Sequence, residues 1–200
     1  MRSKNFNLTL IDLILPRIDN KVLGFARDIV LVLSFAFLTG ISAKLKIEIG
    51  AVPVTLQTFA VLLSGALLGK TRGGLSQLTY LMMGLAGLPW FARGGGIQYV
   101  LSPTFGYLVG FVLAVYLIGW FCEKGLDRKI ETAILAMLVG NLVLYIPGLL
   151  WLAKFVGLAK VLAVGLYPFL IGDLLKVFLA GLLLPMGWRL IKRSKPLINR

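Results

Sequence analysis

Hydrophobic residues fall along this 200-residue chain in blocks too long and continuous for half-buried strands, which alternate, or for a surface helix, which shows one stripe. Cutting at charges and at Gly/Pro clusters leaves six blocks, at about 27–45, 51–69, 74–91, 102–122, 131–152 and 163–188. Each approaches the ~20 residues that a helix needs to cross a bilayer. The connections are short, and no low-complexity run or water-soluble domain interrupts them. The pattern predicts an all-α membrane protein of six transmembrane helices. Ahead of the first block, Leu8–Leu15 is apolar but short, contains Asp12 and runs into Pro16 and Arg17. It reads as an interfacial segment, since no small-residue cleavage pattern follows. The expected organisation is a cytoplasmic or interfacial segment over 1–24, a membrane domain over 25–190 and a basic cytoplasmic tail over 191–200.

Composition agrees. The chain is 58% hydrophobic and 14% charged, with a mean hydropathy of +0.91, against about 45–50% and 25% in soluble domains. The net charge of +13, from 21 Lys+Arg against 8 Asp+Glu, then needs its own account. With the N-terminus inside, 15 basic residues fall on the cytoplasmic side, among them Arg2, Lys4, Arg17, Lys70, Arg72, Arg128, Arg189 and the tail. Five fall outside: Lys44, Lys46, Arg93, Lys154 and Lys160. This bias favours N-in, C-in topology. Attraction to anionic lipid uses the same residues, and nothing resembles a nucleic-acid module. Cys122 is the single cysteine and there is no histidine, so a disulfide framework, the commonest metal ligand and the commonest general base are absent.

Topology leaves one cation unexplained. Lys176 lies inside the sixth block with Asp173 three residues before it, on the same helical face. A charge at helix centre costs about 2.5–3.5 kcal/mol. The pair either packs the bundle by mutual neutralisation or forms a polar ligand site. Counting helical rise from the cytoplasmic charges places Lys176 and Gln57 roughly 20 Å up, Asn141 about 18 Å, Asp173 about 24 Å and Tyr107 about 26 Å. Four helices thus offer polar side chains at similar depth. On the outer side, LPWFARGGGIQYVLSPTFGY supplies Arg93, a glycine run at Gly94–Gly96, hydrogen-bonding groups on Gln98, Tyr99, Ser102 and Thr104, and an apolar wall of Trp90, Phe91 and Tyr99. GAVPVTLQT supplies a second outer element, with Pro53 starting a helix and Thr55 capping it. These features predict an outward-facing pocket covered by loops. Small residues four apart, Gly65/Gly69, Gly106/Gly110 and Ala36/Gly40, mark close helix approaches.

The strings VPVTLQTFAVLLSGALLGKTRGGLSQLTYLMMGLAGLPWFARGGG, SPTFGYLVGF and YPFLIGDLLK resemble the biotin-specific substrate-binding (S) components of energy-coupling factor transporters, the BioY family. The resemblance covers about 25–190. It implies a six-helix S-component bundle that captures biotin from outside and works with a transmembrane coupling protein and two cytoplasmic ATPases. It further implies a prokaryotic plasma-membrane location, no catalysis and no bound cofactor beyond biotin as transported ligand. No Walker motif occurs, so ATP hydrolysis lies on another chain. Under this resemblance Asp173 accepts from a ureido N–H and Lys176 donates to the ureido carbonyl. Arg93 and the N–H groups around Gly95 take the carboxylate, Gln57, Thr55 and Asn141 orient polar edges, and Trp90, Tyr99 and Tyr107 wall the apolar parts. Ala36 and Gly40 occupy the place of a coupling-protein contact. The alternatives are an S component for another vitamin and a small intramembrane enzyme using Asp173 and Lys176 as an acid/base pair.

Overall fold

The computed structural model describes residues 8–15 and 18–198, with side chains described to Ile191. The expectations for Arg2, Lys4 and Arg17, and for the side chains of the tail beyond Ile191, lie outside the described residues. The elements are α1 (Leu10–Ile14), α2 (Lys21–Lys44), α3 (Gln57–Leu85), α4 (Phe105–Glu123), α5 (Ile130–Val156), α6 (Val161–Gly165) and α7 (Tyr167–Ile198), with a two-stranded antiparallel ribbon of β1 (Lys46–Ile47) and β2 (Val54–Thr55). Among the described residues, four stretches are long and apolar enough to cross a membrane: Lys21–Lys44, Phe105–Glu123, Ile130–Val156 and Val161–Ile191.

The second and third predicted spans occur as the two arms of α3. Gly69 interrupts it at φ +81°, ψ 178°. This backbone conformation suits glycine, which lacks the Cβ that would clash there. The chain folds back on itself: Gln57 Nε2 donates to the Tyr80 hydroxyl at 2.7 Å, and Gln77 Nε2 donates to Ser64 Oγ at 3.1 Å. A Cβ on Gly69 would stand 2.7 Å from Glu123 Oε1, and that oxygen accepts from the Lys70 N–H at 3.0 Å. One carboxylate therefore receives an N–H that the turn frees.

The helix boundaries differ from expectation at the loop end. The first arm begins at Gln57, not near 51, because 51–56 belongs to the ribbon. Pro53 therefore starts no helix, while the Thr55 hydroxyl accepts from the Gln57 N–H at 3.2 Å. The second arm stops at Leu85, and 86–96 is loop.

At the opposite end α1 is docked into the molecule. Leu10 and Asp12 are buried. Asp12 accepts from Arg72 at 2.8 Å and from Arg27 at 3.0 Å, tying the segment to α3 and α2. The small residues serve internal packing. Gly65 fits against Val115 and Ile118 of α4, and Gly106 and Gly110 fit against Pro147 and Leu144 of α5.

Ala36 and Gly40 lie on the inner side of α2. Ala36 is 1% exposed within the apolar core, and a Cβ on Gly40 would stand 3.0 Å from the Trp90 ring. The pair faces inward and meets this chain's own side chains. The outer face of α2 is instead lined by Phe25, Val30, Phe37 and Ile41.

Candidate functional site

At the loop end, the first arm of α3 together with α4, α5 and α7 surrounds a narrow pocket. Val52, Pro53 and Ala92 roof it from the two loops, and Leu108, Phe111, Leu144 and Phe169 form apolar walls. Small-molecule sites have this character, a largely apolar cavity with a few placed polar groups.

The polar groups converge on Asp173, which is 3% exposed. Its Oδ1 accepts from Lys176 Nζ at 2.9 Å and from the Thr58 hydroxyl at 3.0 Å. Its Oδ2 accepts from Asn141 Nδ2 at 3.2 Å and from the Tyr145 hydroxyl at 2.5 Å. Lys176 Nζ also donates to Thr58 Oγ1 at 2.7 Å and to the Thr55 carbonyl at 2.8 Å. Three helical elements thus hold one ion pair. A buried charge is tolerable when it is paired and its remaining hydrogen-bonding sites are met. The arrangement offers an anionic acceptor beside a cationic donor at the edge of an apolar cavity.

Of the residues singled out from sequence, Asp173, Lys176, Gln57, Thr55, Tyr99 and Tyr107 line this pocket. Asn141 stands behind Asp173 as one of its donors. Tyr107 packs edge-on to Tyr145 at 6.1 Å and donates to the Gly165 carbonyl at 2.8 Å.

Arg93, Trp90 and Gly95 do not join the wall. Arg93 donates to Glu48 at 3.1 and 2.6 Å and to the carbonyls of Ala51 and Gly50, both at 2.9 Å. Its guanidinium staples the two loops together. Glu48 is held down to a pKa of about 2, chiefly by the hydrogen bonds from Arg93 and then from Lys46. Trp90 packs on Tyr80 at 5.1 Å and donates to the Tyr80 carbonyl. Gly95 sits against the Leu88 backbone.

Sequence reasoning passed over Thr58 and Tyr145, and Phe169 beside them. Tyr145 follows Asn141 by four residues, and that same-face spacing was a usable signal. Thr58 carried none, because threonine is an ordinary hydrogen-bonding residue between membrane helices. Among the described residues no His, Cys, Asp and Glu side chains gather into a metal-ligand group.

Fold and site together define a mostly helical protein of membrane composition that encloses a small-molecule pocket around a buried ion pair. The BioY family model matches residues 9–193, and the chain belongs to the BioY family. The chain is 41% identical over 152 residues to a probable biotin transporter BioY of Pyrococcus horikoshii, covering 76% of this chain and 90% of that one. It is 38% identical over 151 residues to the biotin transporter BioY of Thermotoga maritima, covering 74% and 88%. In fold it matches the crystal structure of the S-component for biotin from an ECF-type ABC transporter with a TM-score of 0.74, covering 86% of this chain and 95% of that one at 23% identity.

Proposed function

We propose that this chain is the biotin-capturing S component of an energy-coupling factor importer. The observation that carries the reading is the Asp173–Lys176 pair at the pocket wall. A ureido ring presents N–H donors beside a carbonyl acceptor. An aspartate next to a lysine offers the matching acceptor and donor, while the apolar walls suit a fused ring and an alkyl tail. Family membership and the relatives' names support biotin over another vitamin.

The membrane arrangement is part of the proposal. The two arms of α3 count as separate passes, giving six, with residues 1–24 (cytoplasmic or interfacial) and 191–200 on the cytoplasmic side of a prokaryotic plasma membrane and the roofed pocket facing outward. Biotin enters from outside and moves inward with a transmembrane coupling protein and two cytoplasmic ATPases. The 15-to-5 division of basic residues supports this orientation. The chain itself performs no chemistry and carries no cofactor.

The test is direct. Protein purified in detergent from biotin-replete cells is expected to carry biotin in near-stoichiometric amount by mass spectrometry, and to rebind it after removal. A different small molecule in the pocket, or no rebinding of biotin, overturns the reading.

A further inference from the structure

The ion pair stands in the pocket wall, and the loop that follows the second arm of α3 contributes Ala92 to the roof. One line of hydrogen bonds joins the two. We propose that Tyr80 is a positioning residue that ties the roof to the Asp173–Lys176 pair and thereby slows release of the bound ligand. The inference rests on reading the pocket as a biotin site.

The line starts at the lysine. Lys176 Nζ donates to the Thr55 carbonyl at 2.8 Å, and the Thr55 hydroxyl donates to Gln57 Oε1 at 3.2 Å. Gln57 Nε2 donates to the Tyr80 hydroxyl at 2.7 Å, and that hydroxyl donates to the Trp90 carbonyl at 3.3 Å. Every link donates in the same direction, away from the cation. Hydrogen bonds aligned in this way polarise and strengthen one another in a low dielectric. The Trp90 indole donates back to the Tyr80 carbonyl at 2.9 Å. Phe91, the neighbour of Ala92, packs edge-on against the Tyr80 ring at 5.3 Å.

Tyr80 is 1% exposed and stands outside the pocket wall, behind Gln57. Its hydroxyl therefore serves the line and not the ligand. Phenylalanine would fill the same space, and a buried hydroxyl is costly unless it is hydrogen-bonded. Here it accepts on the pocket side and donates on the roof side. Thr55 belongs to β2, so the ribbon loop that supplies Val52 and Pro53 hangs from the same line. Both halves of the roof are thus referred to one lysine. Arg93 joins those halves at the exposed surface, and Tyr80 holds the glycine loop from beneath. The roof closes over a ligand already inside, so losing the line acts on release more than on association. Contiguity amounts to coupling only where cutting one link cancels the effect of cutting another.

The experiment measures association and release of labelled biotin separately, release by chase with unlabelled ligand. The proteins compared are wild type, Tyr80→Phe, Gln57→Leu, the double variant and Gln77→Leu, all purified in detergent. Tyr80→Phe is expected to speed release by about tenfold and to change association by less than about twofold. Gln57→Leu should speed release at least as much. Adding Tyr80→Phe to it should change the rate by less than about twofold, because the line is already cut. Gln77 lies one turn before Tyr80 and donates to Thr39 and Ser64, off the line. Gln77→Leu should therefore lower the melting temperature yet leave release within about twofold of wild type. Unchanged release in Tyr80→Phe, a further acceleration of about tenfold in the double variant, or an equal acceleration in Gln77→Leu overturns the positioning role. Wild type that binds no biotin removes the biotin reading itself, a result distinct from binding with unchanged release in Tyr80→Phe.

Discussion

Asp173 and Lys176 were legible in the sequence because two charges in an apolar block have few structural excuses. Their partners were not, since threonine, asparagine and tyrosine are common between membrane helices and only the fold shows which ones converge. Asp173→Asn and Lys176→Met should each weaken biotin binding by about 100-fold or more. Each should also destabilise the protein by about 3–5 kcal/mol, because each leaves the other charge unpaired. The double variant should regain much of the stability but none of the binding. Thermal unfolding and calorimetry on the three proteins check this, and wild-type affinity in both single variants refutes the site. Asp127, in the connection between α4 and α5, offers a separate residue-level prediction. Burial pushes its pKa up to about 6, against the opposing hydrogen bond from Trp188 Nε1 at 2.6 Å. A carboxyl whose folded pKa is raised binds its proton more tightly when folded, so stability should fall as pH rises from about 4 to about 6 and level off above. Asp127→Asn should abolish that slope, as pH-dependent melting would show.

At the scale of elements, the helices were legible and their ends were not. The apolar blocks named six stretches, but 51–56 reads as apolar and folds as ribbon and roof. Periodicity cannot distinguish the two in so short a run. The Gly-x-x-x-Gly spacing also hid a difference in kind: Gly65 packs against α4, whereas Gly69 reverses the chain. Gly69→Ala should cost about 1–3 kcal/mol, because its φ of +81° disfavours an L residue and the new methyl meets Glu123. A melting temperature within a degree of wild type would refute this. Ala36 and Gly40 teach the same lesson, for spacing marks a close approach without naming what approaches. The Glu48–Arg93 staple joins the ribbon loop to the glycine loop above the pocket. It is exposed, so its contribution to stability is small. Glu48→Gln should accordingly speed biotin release by up to about fivefold. A chase measurement at low and high salt checks this, and the difference between the proteins should shrink as salt rises.

For the whole molecule, the charge count was the most useful global number, since the proposed topology takes up every cation except Lys176. What no count revealed is that the helices differ in height. The second arm of α3, residues 70–85, rises about 24 Å, short of the ~30 Å hydrocarbon layer. It nevertheless presents Leu75, Leu78, Met82 and Met83 outward. The apolar outer face of α7 runs from Tyr167 to Leu190, about 35 Å. With each arm of α3 a separate pass, as proposed above, lipids beside this protein meet a low flank and a tall one, and the bilayer thins along the first to match both. Each ångström of mismatch costs a fraction of a kcal/mol. In vesicles of graded acyl-chain length, stability should peak at shorter chains than the length of α7 suggests, and long-chain lipids should load their strain onto the Gly69 hairpin.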